Sequence, residues 1–220
     1  MSSVATATCT RFTKRCEHAT DYGWPMSPCC RQHVRGMTAH VVTALAAAKV
    51  TFWADYGTLL GAVRNPMTTW ADYPWLEPGT EPIAPGIIPH DKDSDFCVMF
   101  TDWNSAWRAL RRLAMEQRYD LVPRPARGTM KVRLSRVNHT NVDLFFWRVK
   151  ENGIMHRLTY AQVDAYKGKH FPKDFLFPLS KVQWEGLTLP APRDPEAFLE
   201  MRYGENWRTP VMANHDGIRR

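Results

Sequence analysis

The chain has 220 residues, 44% hydrophobic and 23% charged, a globular balance that excludes a disordered polymer. Twenty-nine Lys and Arg against 22 Asp and Glu leave a net charge of +7, which suits an anionic ligand; without an RNA-binding signature or a dense basic run, a nucleic-acid partner is disfavoured. Apolar runs such as Val41–Val50 are far shorter than the roughly 20 residues of a membrane span, and the N-terminus lacks a secretory apolar segment, so a cytoplasmic location is expected.

Residues 1–30 hold four of the five cysteines, Cys9, Cys16, Cys29 and Cys30, in the spacing C-x6-C-x12-C-C. The segment has few large aliphatics and cannot bury much core. Four thiolates can complete a tetrahedral zinc shell; two disulfides or plain thiols are the alternatives. Residues 31–49 predict a helix, with Val34, Met37, Val41, Val42 and Leu45 on one face. A strand over Val50–Ala54 runs into the glycine turn and apolar helical start Asp55-Tyr56-Gly57-Thr58-Leu59-Leu60-Gly61-Ala62-Val63-Arg64. Residues 65–90 carry six of the 16 prolines and predict a loop without regular structure. Then follow a strand over Asp95–Thr101, an amphipathic helix over Asn104–Arg118 capped by Asn104 or Asp102, and a hairpin of Thr129–Ser135 with Asn141–Val149. Asp194-Pro195 opens a last helix that stops at Gly204. Helices and strands alternate, the pattern of an α/β (α+β) fold.

The chemistry sits on carboxylates. Asp91-Lys92-Asp93-Ser94-Asp95 leads into the apolar run Phe96–Phe100, and strand alternation puts Asp93 and Asp95 on one face. Two carboxylates that close repel unless a cation lies between them, and hard oxygen donors suit Mg²⁺ or Mn²⁺. Asp143 is the only acid in the apolar strand Asn141–Val149, where burial without a partner is costly. Side-by-side strands would unite Asp93, Asp95 and Asp143 around one or two metals, an arrangement that neutralises phosphate oxygens. Gly57 and Thr58, at a helix start after a strand, expose backbone N–H groups to a phosphate, and Arg64 reaches the same anion. Cys97 is expected in the core; His139, His156 and His170 are expected to be surface or core residues, not ligands; and the face of Arg108, Arg111, Arg112 and Arg118 is expected to be solvated.

Asp55–Arg64 followed by Ile88-Pro89-His90-Asp91-Lys92-Asp93-Ser94-Asp95 resembles the LicD / fukutin-related family. Asn138 and Val142-Asp143-Leu144-Phe145 resemble its third-carboxylate strand. Phe177-Pro178-Leu179, Trp184-Glu185-Gly186, Leu189-Pro190 and Tyr203-Gly204-Glu205-Asn206-Trp207 resemble its C-terminal signature. The resemblance implies a nucleotidyltransferase-like mixed sheet flanked by helices over residues 31–210, a zinc loop of Cys9, Cys16, Cys29 and Cys30 within residues 1–30, and a tail over 211–220. It implies transfer of a phospho-alcohol group, such as phosphocholine, ribitol phosphate or glycerol phosphate, from a CDP-linked donor to a glycan-like hydroxyl. Asp93, Asp95 and Asp143 would hold Mg²⁺ or Mn²⁺, Asp91 would be an accessory carboxylate, and Gly57, Thr58 and Arg64 would hold donor phosphates. An NMP transferase and a non-catalytic nucleotide- or glycan-binding module are the competing readings. The chain departs from the family pattern in Lys92, in His90 and in the long stretch 65–87, where Trp70, Tyr73 and Trp75 would stack on a sugar or base, or form a loop core.

Overall fold

The computed structural model describes residues 9–13, 26, 28–72, 83–89, 91–158 and 170–210. In chain order the regular elements are helix α1 (Pro28–Ala47), strand β1 (Phe52–Ala54), helix α2 (Tyr56–Arg64), strand β2 (Asp93–Met99), helix α3 (Trp103–Gln117), strands β3 (Asp120–Arg124), β4 (Thr129–Arg133), β5 (Asn141–Val149), β6 (Ile154–Arg157) and β7 (His170–Pro172), helix α4 (Lys173–Leu176), strands β8 (Ser180–Trp184) and β9 (Leu187–Ala191), and helix α5 (Pro195–Tyr203).

The main sheet runs β1-β2-β5-β4-β3, with β6 on β5 and β7 on β6; β8 and β9 form a separate hairpin. Only the β2–β5 pair is parallel, which makes this the mixed sheet expected from the alternation of elements. β5 pairs with β2 along one side, while β4 and then β6 share the other.

Strand parity sorts the residues into two cores. Phe96, Val98, Val142, Leu144 and Phe146 face α1 and α3. Cys97 and Trp147 face the layer of α2 and α5, with Leu59, Phe198 and Leu199. Cys97 is fully buried, as its apolar surroundings in sequence predicted. Among the described residues, no helix is long and apolar enough to cross a membrane.

Several boundaries differ from the sequence expectation for physical reasons. β2 begins at Asp93, not Asp95, because Asp93 and Ser94 already pair with Asn141 and Val142; it ends at Met99, where Phe100–Asp102 turns into a 3₁₀ segment. Asp102 flanks α3 as foreseen, but its carboxylate accepts the Thr51 N–H at 2.8 Å and does not cap the helix. β3 contains Pro123, which hides it from pattern reading; as the sheet's edge strand it can spare an N–H. The β8–β9 turn is Glu185-Gly186, both at positive φ, the geometry of a tight two-residue hairpin. Residues 65–90 include two short 3₁₀ turns, Asn65–Met67 and Trp70–Asp72. The Asn65 amide donates to the carbonyls of Ala84, Gly86 and Ile87 at 3.2–3.3 Å, pinning the far end of that stretch to α2. Tyr73, Trp75 and His90, and the side chain of Trp70, lie outside the described residues. The last helix matches its expected start: Asp194 Oδ1 accepts the Ala197 N–H at 3.1 Å, and Pro195 is the first helical residue.

Glu185 ties three regions together. Its carboxylate accepts from Arg31 at 2.7–3.1 Å and from the Ile87 N–H at 2.9 Å, while its own N–H donates to the Pro85 carbonyl at 2.9 Å. A side chain at Gly86 would collide with Glu185 Oε1. The segment that leads into the acidic strand is therefore braced against α1 and the second sheet.

Candidate active site

Parallel pairing places Asp95 opposite Asp143 and Asp93 opposite Asn141. One carboxylate oxygen from each of Asp93, Asp95 and Asp143 lies within 4.8 Å of the others. All three acids project on the α2/α5 side, because their neighbours Phe96, Val142 and Leu144 are taken by the opposite core. The three carboxylates named from sequence thus converge at one point.

The surrounding side chains orient them. Asn141 Nδ2 donates to Asp93 Oδ2 at 3.2 Å and to Asp143 Oδ1 at 3.0 Å. Lys131, opposite Asp143 on β4, places its ammonium 2.8 Å from Asp143 Oδ2. Asp91 Oδ1 accepts the Lys92 N–H at 2.9 Å. Gly57 lies against Asp91 and Asp95: a Cβ there would collide with Asp91 Oδ2 and come within 3.6 Å of Asp95 Oδ2. Thr58 is 2% exposed, and its hydroxyl accepts the Asp95 N–H at 2.7 Å. Arg64 is 4% exposed, with Nη1 3.5 Å from the Trp207 carbonyl. Of the three residues read as donor-phosphate ligands, Gly57 lines the site, and Thr58 and Arg64 lie buried beneath it.

The electrostatics are those of crowded acids. Burial, and then the charge of Asp93, push Asp91 up to about 8. The same two causes push Asp143 up to about 6 against the lowering effect of Lys131. Burial first, followed by Asp93, Asp91 and Asp143, hold Asp95 well above the carboxylate range. A hard divalent cation fits this donor set. Octahedral Mg²⁺ at roughly 2.1 Å from each oxygen sets its ligands about 2.9 to 4.2 Å apart, within the observed spread. Such an ion would offset both the burial and the repulsion that raise these pKa values.

Beneath the carboxylates lies a buried ion pair that the sequence did not signal. Asp55, which receives the Tyr56 N–H at the start of α2, is inaccessible to solvent and pairs with both Nε and Nη2 of Arg202 from α5. Arg202 also stacks over Tyr56 at 4.7 Å and Phe198 at 5.1 Å. Cys97 Sγ is 3.2 Å from Asp55 Oδ2, and burial pushes its thiol up. Asn141, on the same strand face as Asp143, was findable from strand parity. Lys131 and Arg202 were not, because strand register and long-range pairing chose them.

A second cluster sits at the start of α1. Sulfurs of Cys9, Cys29 and Cys30 lie within 4.8 Å of one another, and Cys9 Sγ is 3.6 Å from Cys30 Sγ. Tetrahedral thiolates at about 2.3 Å from zinc stand roughly 3.8 Å apart, so this spacing fits a zinc shell. Cys16, named with them from sequence, lies outside the described residues. The segment docks on the β4–β5 turn: Asn138 donates to the Thr10 carbonyl at 3.0 Å, and Ser135 to the Arg11 carbonyl at 2.5 Å. His139 is exposed and bonds the Arg136 carbonyl. His156 and His170 pair across β6 and β7 with ring centroids 3.8 Å apart. Arg108, Arg111, Arg112 and Arg118 are exposed, as expected.

Comparison with known proteins places the chain by its sequence. The chain is 29% identical over 181 residues to human ribitol 5-phosphate transferase FKRP, and equally so to the mouse protein. The alignment covers 80% of this chain but 32% of each relative, so the chain spans about a third of their length. An uncharacterized protein of Rickettsia typhi is 23% identical over 165 residues, covering 73% of this chain and 42% of that protein. Among solved structures, lincomycin-bound lincosamide antibiotic adenylyltransferase LnuA aligns at TM-score 0.42 and 13% identity, covering 74% of this chain and 82% of that one. The nucleotidyltransferase domain of LicD, FKTN and FKRP matches residues 84–194, half of the chain and the span that carries Asp91, Asp93, Asp95 and Asp143: the protein belongs to the LicD/FKTN/FKRP family.

Proposed function

We propose that this chain is a metal-dependent transferase that moves a phospho-alcohol group from a CDP-linked donor to a hydroxyl, the acceptor being a glycan. The observation that carries this reading is the convergence of Asp93, Asp95 and Asp143 within 4.8 Å. The name of the human and mouse relatives supports the class of group transferred and makes ribitol phosphate the first donor to try.

Mg²⁺ or Mn²⁺ on the three carboxylates would supply charge neutralisation at the donor's phosphate oxygens. Asn141 holds Asp93 and Asp143 at a fixed separation, and Lys131 fixes the far oxygen of Asp143. The acceptor oxygen bonds to the phosphorus carrying the alcohol, the bond from that phosphorus to CMP breaks, and the hydroxyl proton goes to a carboxylate. Asp91 is the best placed to take it. Both Asp143 oxygens already accept hydrogen bonds from Lys131 and Asn141, whereas the Asp91 carboxyl takes the Lys92 N–H at Oδ1, shares a hydrogen bond with Asp93 and sets Oδ2 against Gly57. The Gly57 backbone receives the donor phosphates, and Thr58 and Arg64 support that wall from beneath.

A panel of CDP-ribitol, CDP-glycerol, CDP-choline and NTPs with Mg²⁺ or Mn²⁺, read by thermal shift, tests the reading. A ligand at 100 times its dissociation constant adds about 2.7 kcal/mol of stability. Stabilisation by a CDP-alcohol and release of CMP are expected. Stabilisation by NTPs alone, with release of pyrophosphate, would replace this reading with nucleotidyl transfer.

Cys9, Cys16, Cys29 and Cys30 hold a structural zinc in the same proposal. Four thiolates leave no open coordination position, so the ion braces the N-terminal segment against α1. Elemental analysis of protein purified without chelator is expected to find about one zinc per chain, and Cys29→Ser to lose both zinc and thermal stability. Metal-free wild-type protein carrying disulfides among these cysteines would contradict this.

A further inference from the structure

Two of the cations beside the acidic site are committed to carboxylates. Lys131 is paired with Asp143 and Arg202 with Asp55, whereas Arg64, the last residue of α2, is 4% exposed and its Nε has no hydrogen-bond partner among the described residues. Arg157 stands at the end of β6, half-buried, more open than Arg64, and opposite Trp147 of β5. Its Nη1 is 3.1 Å from the Tyr56 hydroxyl, and its guanidinium carbon lies 4.2 Å from the Phe145 ring centre and 5.7 Å from that of Tyr56. Its Nε is buried with no hydrogen-bond partner, and among the described residues it pairs with no carboxylate. Arginine cannot shed its charge. A part-buried guanidinium balanced, among the described residues, by two rings and a phenol is incompletely compensated.

Its position gives that unspent charge a use. Phe145, on which it lies, is two residues beyond Asp143 on the same face of β5, a step of about 7 Å. Tyr56, which receives its Nη1, immediately precedes Gly57, the residue that packs on Asp91 and Asp95. Arg157 and the acid triad therefore stand on one wall, separated by about the reach of a diphosphate.

We propose that Arg157 is a donor-binding residue, its guanidinium fork taking oxygens of the donor's diphosphate while the carboxylates face the same group through their cation. This rests on the CDP-donor reading above. The Phe145 ring, 4.2 Å from the guanidinium carbon, and the Tyr56 hydroxyl, which accepts from Nη1, limit how the fork can turn and so lower the cost of ordering it on an anion.

Calorimetric titration of CDP in the presence of Mn²⁺, with Mn²⁺ alone titrated separately, tests the assignment on the wild-type chain, Arg157→Met and Arg157→Lys. Methionine keeps an unbranched apolar stem over Phe145 and removes the charge. CDP affinity is expected to fall about ten- to hundredfold in Arg157→Met, the range for a lost charge-assisted hydrogen bond, and less in Arg157→Lys, with Mn²⁺ affinity unchanged in both. Wild-type CDP affinity in a folded Arg157→Met, or a parallel loss of Mn²⁺ affinity in both variants, would overturn the assignment while leaving the donor reading standing. A wild-type chain that binds Mn²⁺ but not CDP would overturn the donor reading, and this assignment with it.

Discussion

Asp143→Asn is expected to abolish metal-dependent donor binding and lower turnover by two to three orders of magnitude or more, the scale seen when a charge-stabilising group is removed from an active site. Asparagine keeps the shape but loses the charge that holds a cation. The metal-free fold should not suffer. Asp143 is one of several carboxylates whose pKa values are raised by burial first and then by mutual repulsion, so neutralising it relieves the second of these. Its ion pair with Lys131 is part-exposed, with the lysine side chain 30% accessible, and contributes little. Thermal melts with and without Mn²⁺ are the check. The expected pattern is a metal-free melting temperature equal to or above that of the wild type, with the Mn²⁺-induced shift lost. Full activity in this variant, or in Asp93→Asn, would remove that residue from the site.

Arg202→Met is expected to be strongly destabilising. It strands the Asp55 carboxylate, which is inaccessible to solvent and accepts two bonds from Arg202. Breaking a buried pair from one side costs about 3–5 kcal/mol. For a chain of this size that corresponds to a drop of roughly 6–20 °C in melting temperature. Part of this loss should be recovered by adding Asp55→Asn, because the amide keeps an acceptor for the Tyr56 N–H without a buried charge. Activity should fall too: Asp55 starts α2, two residues before the Gly57 that packs on Asp91. Chemical denaturation of the two single variants and the double variant gives the coupling energy. Additive losses would mean that the pair is not a stability element.

The periodic segments and the acids were legible in the sequence because their determinants are local. Alternation of polar and apolar residues puts Asp93 and Asp95 on one strand face. The hairpin ending at Val149 and the Asp194-Pro195 start of α5 came from patterns within a few residues. So did the clustering of cysteines in the first thirty residues, although α1 begins at Pro28 and takes Cys29 and Cys30 into its first turn. The segments between Val149 and Asp194 escaped, as did β3; of these, β3 with its proline is held by an edge position and the β8–β9 hairpin by Glu185 contacts far away in the chain.

What the sequence by itself determined was the inventory: which acids lie on the buried side of which strands, and that they outnumber any local counter-charge. The tertiary structure alone decided how they are used. Parallel pairing of β2 with β5 sets Asp95 opposite Asp143, and only that register brings the third carboxylate to the first two. Asp55 meets Arg202 across 147 residues, and Arg157 reaches Tyr56 across 101. Such pairs leave no mark on either local segment. They form because burying the two faces of the sheet fixes the register, and a fixed register leaves each charged side chain on these faces a single set of neighbours.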